Sequence, residues 1–172
     1  MHPCNRIPTG ATASKSAPAS YRRTALYAFL AGLLMALAAC ATQPGQEPAP
    51  PEAQIRALLD AQQLAWNRGD IEDMMQGYWH DDALRFDTNS ATIFGWQALY
   101  DRYRTRYPDR AAMGKLQFSD MQIHLIDADH ASIDGSWELQ RASDRPHGTF
   151  TLGLRRFKES WKIVQDHTEL AP

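Results

Sequence analysis

The sequence predicts an α+β fold in which three helices precede a mostly antiparallel sheet. Two observations carry this. Between residues 51 and 107 the apolar residues recur at helical spacing. From residue 116 onward, four strand-like runs rich in apolar residues are separated by polar turns. Helices first and strands afterwards require the helices to cover one face of the sheet.

Pro51-Glu52 opens the first helix, where proline is tolerated in the first turn. Ile55, Leu58, Leu59, Gln62, Ala65 and Trp66 form its stripe, with Gln62 a polar residue among apolar ones, and Gly69 serves as C-cap. Asp70 caps a second helix, with Asp73 favoured by the helix dipole and Ile71, Met74, Met75, Tyr78 and Trp79 in phase. His80-Asp81-Asp82 breaks that phase. Ala83 to Asp87 reads as a short strand, Asp87-Thr88-Asn89-Ser90 as a turn, and Ile93-Phe94 as extended chain. Gly95 precedes a third helix with Trp96, Leu99, Tyr100, Tyr103 and Tyr107 on its apolar face, and Pro108 stops it. Arg102, Arg104 and Arg106 interleave those tyrosines and read as a solvated helix face rather than an anion or nucleic-acid patch. The strands are Leu116 to Ile126, Ala131 to Leu139, Thr149 to Phe157 and Trp161 to Glu169. Tight turns fall at Asp127-Ala128-Asp129 and Lys158-Glu159-Ser160, and a longer hairpin loop runs from Arg141 to Gly148.

Charge narrows the function. Of 172 residues, 18 are Lys or Arg and 20 are Asp or Glu, but Arg6, Lys15, Arg22 and Arg23 all precede residue 40. The remainder carries 14 basic and 20 acidic side chains. No nucleic-acid partner is expected of such a body, because phosphate backbones are held by clustered cations. The two cysteines, Cys4 and Cys40, both precede the globular part, which excludes a disulfide, a thiolate zinc site or a Cys nucleophile there. His80, His124, His130, His147 and His167 are scattered without ligand spacing, so no metal and no cofactor are expected.

Tyr21-Arg22-Arg23 precedes a charge-free apolar run, Ala25 to Ala39, too short to span a bilayer, which takes about 20 residues. Its end, Leu37-Ala38-Ala39-Cys40, resembles the lipobox of bacterial lipoproteins. That resemblance implies a signal peptide over residues 1–39, lipidation of Cys40, and a periplasm-facing protein anchored in the outer membrane, since Ala41 rather than Asp follows the cysteine. Residues 40–51, rich in Pro, Gln and Glu, form a flexible tether to the domain at 52–172.

The order of elements, with Gly69-Asp70-Ile71-Glu72, Asp81-Asp82-Ala83, Phe94-Gly95-Trp96 and the Trp161 to His167 strand, resembles the nuclear transport factor 2-like superfamily. Within it the chain is most similar to the polyketide-cyclase-like and kinase-association-domain branches. The resemblance implies a curved sheet of four to six strands forming a cone closed by the three helices, with a pocket inside for a small apolar or mixed-polarity ligand, and a homodimer. Ketosteroid isomerases share this fold. The resemblance sets Asp87 on the position of their general base, and Gln62 and Gly153 on the positions of their oxyanion donors, neither of which has the isomerase residue type. The expectation is a membrane-tethered binding module. The alternatives are an enzyme of proton transfer or cyclisation with Asp87 as base, of raised pKa, assisted by His167 or Gln62, and a structural dimerisation module.

Gln62, Trp66, Tyr78, Trp137 and Asp166 are the expected pocket-lining residues. On the last strand, parity groups His167 with Trp161, Ile163 and Gln165, and Asp166 with Val164, and a slip of one residue exchanges the two sets. Dimerisation is expected through the sheet face away from the helices, on the strength of Ile133, Trp137 and Leu139 and of Phe150, Leu152 and Leu154.

Overall fold

The computed structural model describes residues 48–158 and 160–172, so the apolar run, Cys40 and most of the tether lie outside the described residues. Helix α1 (Pro51–Arg68) carries proline in its first turn and ends on Gly69 at φ 86°, a left-handed C-cap. Its buried stripe is Ile55, Leu59, Gln62, Ala65 and Trp66. Helix α2 (Ile71–Met75) is capped by Asp70, whose carboxylate accepts the Asp73 amide at 2.9 Å.

α2 stops at Met75, short of the Tyr78–Trp79 end that the periodicity predicts. The chain is diverted by close packing and by new hydrogen bonds. Gly77 passes so near Gln62 that a Cβ there would lie 2.5 Å from the Gln62 amide nitrogen. The Trp79 amide donates to the Ile163 carbonyl at 2.8 Å and the Ile163 amide to the Gly77 carbonyl at 3.0 Å. Tyr78 is thereby bridged to the last strand, alongside Ile163.

β1 (Arg85–Thr88) and β2 (Thr92–Phe94) form a small hairpin, and α3 (Trp96–Arg106) follows Gly95. A fourth helix, α4 (Arg110–Met113), is one that apolar periodicity does not predict. Its punctuation is nonetheless in the sequence. Asp109 accepts the Ala112 amide at 2.8 Å, and the helix ends at Gly114 with φ 64°. Four long strands complete the domain: β3 (Lys115–Leu125), β4 (His130–Gln140), β5 (His147–Phe157) and β6 (Ser160–Leu170). The six strands run in the order β2-β1-β6-β5-β4-β3 and are antiparallel except where β1 lies beside β6. The fold is the expected α+β cone.

Two irregularities shape the sheet. Between Ser119 and Gln122 on β3 the register slips, with Asp120 at φ 53°. On the other pair, Gly153 faces Gln165 but Leu154 faces Ile163, which leaves Val164 as an extra residue on β6. Such a bulge bends its strand and reverses which face the following side chains take. Trp161 and Ile163 are buried before the bulge; Asp166 is buried after it, and Gln165 is exposed.

The core sits between the helices and the inner sheet face, with Ile55, Leu59, Met75, Leu84, Leu99, Ile133, Leu154 and Ile163 fully enclosed. Ile133, Leu139, Phe150, Leu152 and Leu154, on which the expected dimer face rests, belong to this buried core. Register explains it: Ile133 faces Leu152, and Ala131 faces Leu154, on one side of the sheet. The opposite side presents the exposed Asp134, Thr149, Thr151, Arg155 and Gln165, so apolar character does not mark it as an interface.

Candidate functional site

The space that the core leaves open is a cavity of about 460 Å³ between α1, α3 and the inner sheet face. Trp66, Phe86, Phe118, Trp137 and Phe150 form much of its wall. Trp66 is set by its indole N–H, which donates to the Met113 carbonyl at 3.2 Å, and by edge-on contact with the Tyr107 ring at 4.8 Å. The Trp137 indole donates to the Glu169 carbonyl at 3.2 Å. Gln62 also borders the cavity, and its amide nitrogen donates to the Met74 carbonyl at 3.1 Å, closing the end of α2.

The buried charged group bordering this space is a carboxylate. Asp166 is buried, and accepts from the Tyr78 hydroxyl at 2.6 Å and from the Thr168 hydroxyl at 2.8 Å. Burial pushes its pKa up to about 6, against the lowering effect of the Tyr78 and Thr168 hydrogen bonds. The Tyr78 phenol is raised well above its ordinary value by burial and by the Asp166 charge, with Tyr103 adding to the rise. Tyr103 is raised too, for the same two reasons in the same order. Around neutral pH the site is thus an anionic carboxylate beside two neutral phenols. A proton exchanges with it near pH 6, in surroundings where hydrogen bonds are strong because water is scarce.

The SnoaL-like domain model matches residues 55–169. The chain belongs to the SnoaL-like family. Among solved structures, this SnoaL-like domain is similar to an NTF-2 like protein of unknown function from Shewanella oneidensis. The identity is 36%, over 70% of this chain and 99% of that one, and the TM-score is 0.68. It is also similar to a ketosteroid isomerase-like protein from Erwinia carotovora, at 19% identity over 70% of this chain and 96% of that one, TM-score 0.57. A cystatin-like fold protein of unknown function from Nostoc punctiforme matches at 14% identity over 72% of this chain and 93% of that one, TM-score 0.60. No curated protein matches the chain. The nuclear transport factor 2-like resemblance is therefore shown.

In this SnoaL-like domain the two residues expected to carry catalysis lie outside the cavity. Phe86 and Thr88 border the cavity, and strand alternation sends Asp87 to the other face of β1. There Asp87 accepts from the Thr92 hydroxyl at 2.6 Å and pairs with the Arg85 guanidinium at 2.8 Å. The Thr92 hydrogen bond and Arg85 hold its pKa below the usual carboxylate value, opposite to the expected rise. His167 sits beside Asp87 across the strand pair, half-exposed, with its Nε2 3.1 Å from Glu169. The Val164 bulge is the reason, since it turns Asp166 inward and His167 outward. Gln62, Trp66, Tyr78, Trp137 and Asp166 border the cavity together. Gly153 packs against Gln165, whose side chain is exposed, and stands away from the Asp166 site. Sequence reasoning misses Tyr103 and Thr168 as site residues. Tyr103 reads as one member of an apolar helix face, and Thr168 shares the parity that the bulge reverses.

Proposed function

We propose that this SnoaL-like domain binds a small, mostly apolar molecule in the cone, with a polar group of the ligand meeting Tyr78 and Asp166. The cavity of about 460 Å³, largely walled by aromatic rings and bordered by the Tyr78–Asp166 pair, carries the reading. Pockets with few, well-placed polar groups in an apolar wall are those that orient small ligands. The test is binding of N-phenylnaphthylamine, a neutral dye that fluoresces in apolar surroundings. Dye fluorescence is expected to rise saturably, with one site per chain. No saturable rise, or a rise unaltered when Trp137 is replaced by Glu, defeats it.

A second reading is favoured by one observation, the Asp166 carboxyl with a pKa of about 6. A base is most effective when its pKa lies near the working pH. Asp166 would then remove a proton from carbon beside a carbonyl of the bound molecule, a role consistent with the ketosteroid isomerase-like neighbour. Exchange of the α-protons of β-tetralone into deuterated water, followed by NMR, tests it. Exchange above the buffer rate that rises through about pH 6 and is lost in Asp166→Asn supports the reading; exchange at the buffer rate sinks it.

The proposal includes the membrane. Leu37-Ala38-Ala39-Cys40 behind an apolar run supports lipidation of Cys40 and a tethered, periplasm-facing domain. Cys40→Ser is expected to abolish labelling by a fatty-acid probe and release the protein from membranes; unchanged labelling rejects the tether.

A further inference from the structure

The arginines that interleave the tyrosines of α3 are not one solvated face. Residues four apart share a side of a helix, and residues two apart do not. Arg102 and Arg106 border the cavity, together with Asn89, Ser90 and Pro172. Arg104 stands elsewhere, with its guanidinium over the Tyr100 ring at 5.7 Å.

Neither of these two arginines has a carboxylate partner within the described residues. The arginines that find a carboxylate there are Arg68, Arg85, Arg141 and Arg156. Arg106 instead lies over the Tyr107 ring at 5.9 Å. Arg102 is half-buried, and its charge reaches the Tyr103 phenol. The one side-chain carboxylate bordering the same space is Asp166, already held by Tyr78 and Thr168. The cavity thus has a largely aromatic wall, a held anion among its polar groups and two guanidiniums without a carboxylate partner among the described residues.

We infer that the natural ligand is an apolar carboxylic acid, its body among the aromatic rings and its carboxylate on Arg102 and Arg106. This rests on the cavity being a binding site and names the class of molecule it takes. Charge dictates the orientation. A ligand carboxylate placed against Asp166 would set two like charges together in a water-poor space, whereas at the arginines it meets two planar donors suited to a carboxylate. A neutral polar group at the other end of the ligand, a carbonyl or hydroxyl, is compatible with the Tyr78–Asp166 cluster.

The experiment separates the two layers. The protein is loaded with N-phenylnaphthylamine, and decanoate and decanol are compared as displacing agents. Both carry the same apolar chain, and they differ in the charged head. Decanoate is expected to displace the dye at a concentration at least about tenfold lower than decanol, the size of effect that a charge-assisted hydrogen bond gives. Combined Arg102→Gln and Arg106→Gln should bring the ratio of the decanol to the decanoate displacing concentration to about one, a ratio in which any change in dye affinity cancels. Equal displacement by the two, or an advantage that survives the double substitution, overturns the acid inference and leaves the cavity reading standing. A dye that does not bind overturns both.

Discussion

Asp166 makes the chemistry of this domain measurable at the level of one residue. Its folded pKa, about 6, lies above the ordinary value of 3.8, so the folded state holds the proton more tightly than the unfolded chain. Its contribution to stability is therefore full below pH 3.8 and is lost as pH rises to about 6. A rise of that size corresponds to about 3 kcal/mol. Denaturant unfolding of the wild type and Asp166→Asn at matched pH values should show wild-type stability falling relative to the variant by about that amount across this window. Parallel curves would mean that Asp166 is not desolvated. Asp87 carries the opposite sign. Its lowered pKa adds stability above the unfolded value, lost as pH falls through the folded one. An NMR titration should place its midpoint below 3.8, and a midpoint above that would contradict the Thr92 and Arg85 contacts.

At the level of elements, local chemistry was legible and strand parity was not. Gly69 and Asp70 announce their caps in the sequence because φ and hydrogen-bond demands at helix ends are met by few residue types. Asp109 and Gly114 announce α4 in the same way, but a helix of four residues has no periodicity to confirm it. Val164 is different. Nothing in Trp161-Lys162-Ile163-Val164-Gln165-Asp166-His167 marks a bulge, since valine suits a regular strand. The extra residue is imposed by pairing with β5 and with Tyr78, partners distant in sequence. That single insertion decides which of Asp166 and His167 meets the cavity, and hence which residue carries the candidate site. Gly77 is the matching long-range feature at the end of α2. A Cβ there would lie 2.5 Å from the Gln62 amide, so Gly77→Ala should destabilise the domain by about 1–3 kcal/mol. Gln62→Ala alone strips the Met74 carbonyl of its donor and should cost about as much. The double variant relieves the clash and should cost less than the sum of the two. Strict additivity in chemical denaturation would show that the two side chains do not share the space.

Across the whole domain, the cavity is volume that packing leaves unfilled. Interiors are ordinarily filled to crystal-like density, and unfilled volume forfeits contact energy. A sheet bent by bulges and covered by helices along one side leaves a cavity whose lining includes the exposed Asn89, Arg106 and Pro172. If the space exists to hold a ligand, filling it should leave stability intact and remove binding. Leu116 is the position to use, because it is buried on the inner face of β3 and borders the cavity opposite Leu139. Leu116→Trp adds an indole at a position that borders open volume. Its unfolding free energy should stay within about 1.5 kcal/mol of the wild type. Its affinity for N-phenylnaphthylamine should fall at least about tenfold, since the dye and the indole compete for one space. Melting curves give a second readout. Ligand at roughly a hundredfold excess over the wild-type dissociation constant stabilises the wild type by about 2.7 kcal/mol, and at the same concentration a variant with tenfold weaker affinity should gain about 1.4 kcal/mol or less. A variant that folds, binds the dye as before and keeps the ligand-induced rise would place the binding site outside the cone.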